Sequence, residues 1–156
     1  MTASAHAMKI SPYMLQKIIL WEGRKLAAYQ DIRGIWTIGV GHTGPEVRPG
    51  LRITEAQCEK FLAEDILLLE EMIQLRLPRL RQNQFDALVS LAFNIGLGNF
   101  FSSTAYKMAK IHAYALVPWG IRMWNKTTIG GKKVPNAALT ARRAFEADVF
   151  AGNIIY

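Results

Sequence analysis

Cysteine is nearly absent from this sequence. Cys58 stands alone among 156 residues, so no internal disulfide can staple the fold, and it is expected to pack as a small apolar side chain. Long apolar runs are missing too: no window approaches the ~18–20 residues a membrane-spanning helix needs, and Met1–Ile10 shows no signal-peptide pattern. The 12 glycines and 6 prolines are too few for a collagen-like chain, and charged residues, at 20%, are too few for a disordered one. The three histidines, His6, His42 and His112, give no metal-ligand spacing with Cys58. What remains is 51% hydrophobic, enough for a chain of this length to bury about two-thirds of its unfolded surface without staples. A single domain over 1–156 is expected.

Acidic residues are scarce in the second half. Residues 1–80 carry ten Lys/Arg against nine Asp/Glu, whereas 81–156 carry nine against three, for a net charge of +7. Such an excess suits an anionic partner (nucleic acid, membrane or wall polymer) or simple solubility, and charge alone leaves that choice open.

The first ten residues read as a loose tail. Ser11-Pro12 reads as an N-cap followed by proline at the first helical position, and Met14, Leu15, Ile18, Ile19 and Glu22 share a helical face that Gly23 can end. From Lys25 to His42 the strand formers Tyr29, Ile32, Ile35, Trp36, Thr37, Ile38 and Val40 surround turn chemistry at Asp31 and Arg33-Gly34, predicting a small antiparallel sheet within a lobe over about 24–53. Thr54-Glu55-Ala56-Gln57 has the capping-box pattern and opens a long helix that Pro78 stops. A nearly buried helix from Phe85 should end at Gly96 and Gly98. A helix from Ser102 or Ser103 through Ile111, one over Pro118–Trp124, a basic loop over Thr127–Pro135 and a helix capped by Asn136 and ended by Gly152 complete the 54–152 region. The fold class is α+β and predominantly helical.

Two nucleotide-like patterns fail. Gly39-Val40-Gly41-His42-Thr43-Gly44 fits G-x-G-x-x-G, but Pro45 and Pro49 follow where a phosphate-binding helix would have to start. Gly131-Lys132 lacks the rest of a P-loop. Lys132, Lys133, Arg142 and Arg143 could hold phosphates and Trp119 and Trp124 could stack bases, but no nucleic-acid motif frames them.

The carboxylates say more. Glu22 ends an apolar helix beside Trp21; Asp31 lies nine residues on, at a turn; Thr37 lies six further, on the next strand. A carboxyl packed beside Trp21 is expected to hold its proton, while one on a polar turn stays ionised, and two carboxyls so separated suit cleavage of a glycosidic bond. A salt-bridged helix end at Glu22 and a turn former at Asp31 would account for the same spacing.

Trp21-Glu22-Gly23, Tyr29-Gln30-Asp31 and Trp36-Thr37-Ile38-Gly39-Val40-Gly41-His42 together resemble the phage-type lysozymes, the T4-like endolysins of glycoside hydrolase family 24, whose pattern is Glu, eight residues, Asp or Cys, five residues, Thr. Phe93-Asn94-Ile95-Gly96 is similar to the family's F-N-x-G, and Trp124 through Gly130-Gly131 to Leu139 and Arg142-Arg143 is similar to its W…GG…GL..RR, with Ala138 where many members have glycine. The resemblance implies a small β lobe and a larger helical lobe joined by the long helix, with a glycan-binding cleft between them. It implies a muramidase cutting the β-1,4 bond between N-acetylmuramic acid and N-acetylglucosamine, with Glu22 as general acid, Asp31 orienting water and stabilising positive charge, and Thr37 holding the water. Thr43, Phe93, Asn94 and Thr104 become candidates to line the cleft; His42 becomes a structural ion-pair partner, and Arg142 or Arg143 a support for Glu22. No metal or organic cofactor is implied. The implied partners are peptidoglycan, anionic lipopolysaccharide and a holin that releases a monomeric enzyme from the host cytoplasm to the wall. A non-catalytic peptidoglycan binder and a basic nucleic-acid-binding protein are the rival readings.

Overall fold

The computed structural model describes residues 7–156 and divides into two compact units, residues 12–68 and residues 69–156 with 7–11. The expectation of a loose tail over 1–10 lies partly outside the described residues. The part within them is corrected. Met8 N–H donates to Gln74 Oε1 (2.8 Å), Ile10 N–H to Glu70 Oε1 (2.7 Å), and Lys9 Nζ pairs with Glu70 Oε2 (2.9 Å). A segment without helical or strand periodicity still has backbone donors to satisfy, and here side chains of a helix satisfy them.

The first unit opens with α1 (Pro12–Glu22). Proline at the first position lacks only a donor that the helix would leave unpaired, and Met14 and Ile18, four apart, are fully buried. Gly23 ends the helix at φ 73°, its N–H donating to the Ile19 carbonyl at 2.9 Å. Strands β1 (Lys25–Gln30), β2 (Trp36–Gly39) and β3 (His42–Thr43) form an antiparallel sheet in chain order. The register sets Tyr29 opposite Thr37, Gln30 opposite Trp36, Thr37 opposite Thr43 and Ile38 opposite His42. Gly39 and Gly41, at φ 64° and 67°, turn β2 into β3. The glycine string is thus a tight hairpin rather than a phosphate loop. An ideal Cβ on Gly39 would stand 3.3 Å from Cys58 Sγ, so the hairpin lies directly on the first turn of α2 (Glu55–Arg76). That helix starts with the expected reciprocal cap: Gln57 N–H donates to Thr54 Oγ1 (3.1 Å) and Thr54 N–H to Gln57 Oε1 (2.8 Å).

In the second unit α3 (Gln82–Ile95) is buried without interruption from Gln84 to Ala92 and packs chiefly on α7 (Ala137–Ala151). Burial of Phe85, Leu88 and Leu91 contributes roughly 1.5–3 kcal/mol each. Gly96 ends α3 at φ 83°, and α4 (Leu97–Ser102) follows at once. Gly98 therefore lies inside α4 instead of ending α3. Ser103 caps α5 (Thr104–Lys110), its Oγ accepting from Tyr106 N–H. A 3-10 turn (Tyr114–Leu116) and α6 (Val117–Arg122) follow. The expected basic loop over 127–135 is instead an antiparallel hairpin, β4 (Lys126–Ile129) and β5 (Lys132–Pro135), closed by Gly130 and Gly131 at φ 56° and 77°. Two consecutive positive φ angles are the type I′ geometry that matches strand twist. Only Thr127 and Val134 of its strands are half-buried, so there was little apolar alternation to read. Asn136 caps α7, accepting from Leu139 N–H at 2.9 Å, and Gly152 ends it in the left-handed region.

Candidate active site

Glu22, Asp31, Thr37, His42 and Thr43 all belong to the 12–68 unit. Glu22 is the last residue of α1 and half-buried. Two residues after Gly23, β1 begins, so the helix end and the sheet are covalently tied within one short turn.

Asp31 sits at the corner between β1 and β2, and its carboxylate organises that corner. Oδ1 accepts the backbone N–H groups of Arg33 (2.8 Å) and Ile35 (2.9 Å), while Oδ2 receives Nε (3.1 Å) and Nη2 (2.8 Å) of Arg33. Burial alone would raise its pKa. The hydrogen bonds from Ile35 and Arg33, with the guanidinium charge, outweigh that and hold the carboxyl below its ordinary value. Asp31 is therefore an anion at neutral pH, in line with the expectation drawn from its turn position.

Thr37 is buried at the centre of the sheet, its hydroxyl donating to the Ile35 carbonyl at 3.0 Å. That donation fixes the hydroxyl proton and points the oxygen's accepting side away from Ile35. Tyr29 is the neighbour of Thr37 across the strands. Its phenol is raised above the ordinary value first by burial and then by the negative charges of Glu22 and Asp31. One side chain thus lies within electrostatic reach of both carboxylates. Tyr29 and Arg33 were not singled out as site residues from sequence. The signals were present: Tyr29 two positions before Asp31, and Arg33 two after it on a turn that returns the guanidinium to the carboxylate.

His42 has a structural setting. Its ring stacks on Phe61 (centroids 4.3 Å apart, 8° between planes), Nδ1 meets Asp65 Oδ2 at 2.8 Å and Nε2 meets Glu46 Oε1 at 2.7 Å. Burial works against the charged ring, but the bonds to Glu46 and Asp65 prevail and raise its pKa. Thr43 is exposed on β3 opposite Thr37.

The remaining candidates belong to the other unit. Phe93 and Asn94 are half-buried near the end of α3, and Thr104 is the first residue of α5. Arg142 and Arg143 are buried on α7 around Glu146, which Arg143 meets at 2.7 Å and Arg142 at 3.2 Å. Ser90 Oγ donates to the same carboxylate (2.6 Å), and Arg143 Nη1 donates to Asn94 Oδ1 (2.9 Å). The paired arginines and the F-N-x-G asparagine are thus joined in one buried network between α3 and α7. Among the described residues no group of three or more His, Cys, Asp or Glu side chains forms a metal site.

The phage lysozyme family matches residues 20–146, which contain all of these positions. An endolysin of Acyrthosiphon pisum secondary endosymbiont phage 1 is 39% identical over 145 residues, covering 92% of this chain and 98% of that protein. Among solved structures, an endolysin from the Escherichia coli O157:H7 phage FAHEc1 superposes with a TM-score of 0.80 at 34% identity, over 96% of this chain and 97% of its own. The muramidase domain of SpmX from Asticaccaulis excentricus gives a TM-score of 0.80 at 34% identity, over 91% and 97%.

Proposed function

The chain belongs to the phage lysozyme family, and from that premise we propose how its residues divide the work of cutting the wall. It is an endolysin: a glycoside hydrolase of the lysozyme kind that degrades bacterial peptidoglycan. Glu22 is the general acid. It gives its proton to the glycosidic oxygen as the bond to the anomeric carbon of N-acetylmuramic acid breaks and the electron pair stays on the leaving oxygen of N-acetylglucosamine. Asp31, ionised, stabilises the oxocarbenium-like charge and takes a proton from the attacking water, and Thr37 accepts a hydrogen bond from that water. Attack from the face opposite the leaving group inverts the anomeric centre. Thr43, Phe93, Asn94 and Thr104 bind the glycan. His42, Arg142 and Arg143 hold the framework in place. The chemistry needs no cofactor, since proton transfer and positioning suffice.

The observation that carries this reading is Asp31, whose carboxylate accepts the backbone N–H groups of Arg33 and Ile35 and pairs with the Arg33 guanidinium at the β1–β2 corner of the unit that also holds Glu22 and Thr37. It favours catalysis over mere glycan binding, because a binder has no need of a carboxylate held ionised in the same short unit as a second carboxyl. The basic chain acts as a monomer and meets anionic wall peptides and lipopolysaccharide rather than nucleic acid. It reaches the wall from the host cytoplasm through a holin.

The test is clearing of chloroform-permeabilised Gram-negative cells by the wild type and by Glu22→Gln, with mass spectrometry of the released fragments. Loss of about 10²- to 10⁴-fold in rate with the fold intact is expected, as is typical when a general acid is removed. Fragments should end in reducing muramic acid. Wild-type clearing by the variant, or 1,6-anhydro ends, would overturn the assignment.

A further inference from the structure

A concave site lies in the 69–156 unit, built from the end of α2 and the turn after it, the end of α5 and the segment that follows. It is open to solvent and has a volume of about 310 Å³, at the lower end of the range of small-ligand pockets. Arg76, Arg79, Lys110, His112 and Tyr114 line it, the rest of the wall is apolar, and no carboxylate is among the lining side chains.

Three features distinguish this from a solvated basic surface. The guanidinium of Arg76 lies over the Phe101 ring, its central carbon 4.1 Å from the ring centroid, and its buried Nη1 has no hydrogen-bond acceptor. A buried charged donor left unpaired is costly, so the position favours an acceptor arriving from outside. Lys110 Nζ donates to the Arg76 backbone carbonyl at 3.0 Å, which anchors a second cation of the lining at the end of α2. That bond helps to cap the C-terminus of α2, but capping accounts neither for the unpaired Nη1 nor for Arg79. His112, at φ 60°, holds a left-handed conformation rare for a residue with a side chain, and its Nδ1 meets Tyr114 Oη at 3.0 Å. This strained residue keeps an imidazole and a phenol at the rim; such strain gathers at binding sites.

We propose that this pocket binds a phosphomonoester. Three positive charges, two of them anchored at Arg76 and Lys110, with two further hydrogen-bonding side chains exceed what one carboxylate can use. A phosphomonoester brings close to two negative charges and three strong acceptor oxygens, and the fork of an arginine fits two of those oxygens at once. The volume leaves room beside the phosphate for the sugar or glycerol that carries it. The inference stands apart from the assignment of Glu22, Asp31 and Thr37, none of which touches this pocket.

The full chain is titrated calorimetrically with inorganic phosphate, glucosamine 1-phosphate and, at matched ionic strength, sodium chloride. It is then sedimented with phosphatidylcholine vesicles carrying either phosphatidic acid, a monoester headgroup, or phosphatidylglycerol, a diester, at equal surface charge. Arg76 is stacked on a core ring, so the exposed Arg79→Gln and Lys110→Gln are the variants used. Clearing of purified peptidoglycan, expected to be unchanged in both, verifies that they fold. The expected result is saturable binding of both soluble phosphates, about tenfold weaker in each variant, as loss of a charge-assisted hydrogen bond implies. Preference for phosphatidic acid vesicles assigns the phosphate to a lipid headgroup; binding of the soluble esters alone assigns it to a free sugar phosphate. Equal heats with chloride, or wild-type binding by both variants, would overturn the proposal.

Discussion

Asp31 carries two tasks on one carboxylate. Its oxygens close the β1–β2 corner and must also face a developing positive charge, and Arg33 intervenes in both. The guanidinium is largely exposed, with 68% of its side chain accessible, yet it helps to depress the carboxyl it pairs with. In Arg33→Ala the Asp31 pKa should rise toward the ordinary aspartate value. The acidic limb of the pH–rate profile for wall clearing should then move to higher pH, with the neutral-pH rate retained. An unmoved limb would mean that another group sets it. His42 permits a separate test of sign. Its folded pKa is raised, so its stabilising contribution is complete below the unfolded value of about 6.5 and is lost as pH rises through the folded value. The hydrogen bond from His42 lowers Glu46, so that contribution fades as pH falls through the folded value of Glu46. Burial raises Asp65 despite His42, so ionising Asp65 works against the fold as pH rises from the unfolded value. The melting-temperature gap between wild type and His42→Gln should be widest near pH 5–6 and narrower by about pH 9. A gap that grows with pH would contradict this balance.

At the scale of elements, glycines decide what the chain can do, and for different reasons. Gly120 lies inside α6, where alanine normally stabilises a helix by about 1 kcal/mol. Here an added Cβ would stand 2.5 Å from the Ala105 backbone nitrogen, at the start of α5. Gly120→Ala should therefore destabilise by about 1–3 kcal/mol, the usual cost of overpacking, as read by urea unfolding. Nothing in the local sequence announces that contact, because Gly120 and Ala105 are brought together only by packing. Where the signal was local, sequence was enough: the Thr54/Gln57 box, the Asn136 cap, the stops at Gly23 and Gly152, and the Asp31 corner were all legible, while the start of α5 was narrowed only to Ser102 or Ser103. The 126–135 hairpin was not, because its faces bury too little to alternate. Gly98 could not be distinguished from a stop, since glycine inside a short helix and glycine after one look alike in sequence. Asp65 as a partner of His42 was also hidden, because 23 residues and a change of element separate them.

For the molecule as a whole, the distribution of charge matters more than its total. The imbalance of nine basic against three acidic residues over 81–156 predicts that encounter with an anionic wall is assisted by long-range attraction. Initial clearing rates should fall several-fold between low and roughly physiological ionic strength, where the screening length is about 8 Å. A flat response would leave the net charge to solubility alone. Cys58 offers a way to watch the sheet unit by itself. The thiol is fully buried, lies under Gly39, and is pushed above its ordinary pKa by burial despite the nearby charge of Arg24. Both inaccessibility and a low thiolate fraction slow its chemistry. A sulfhydryl reagent can then modify the native protein only when the glycine hairpin lifts off α2. The labelling rate becomes a stopwatch on the breathing of the segment that carries Thr37, read from a single natural atom without adding a probe.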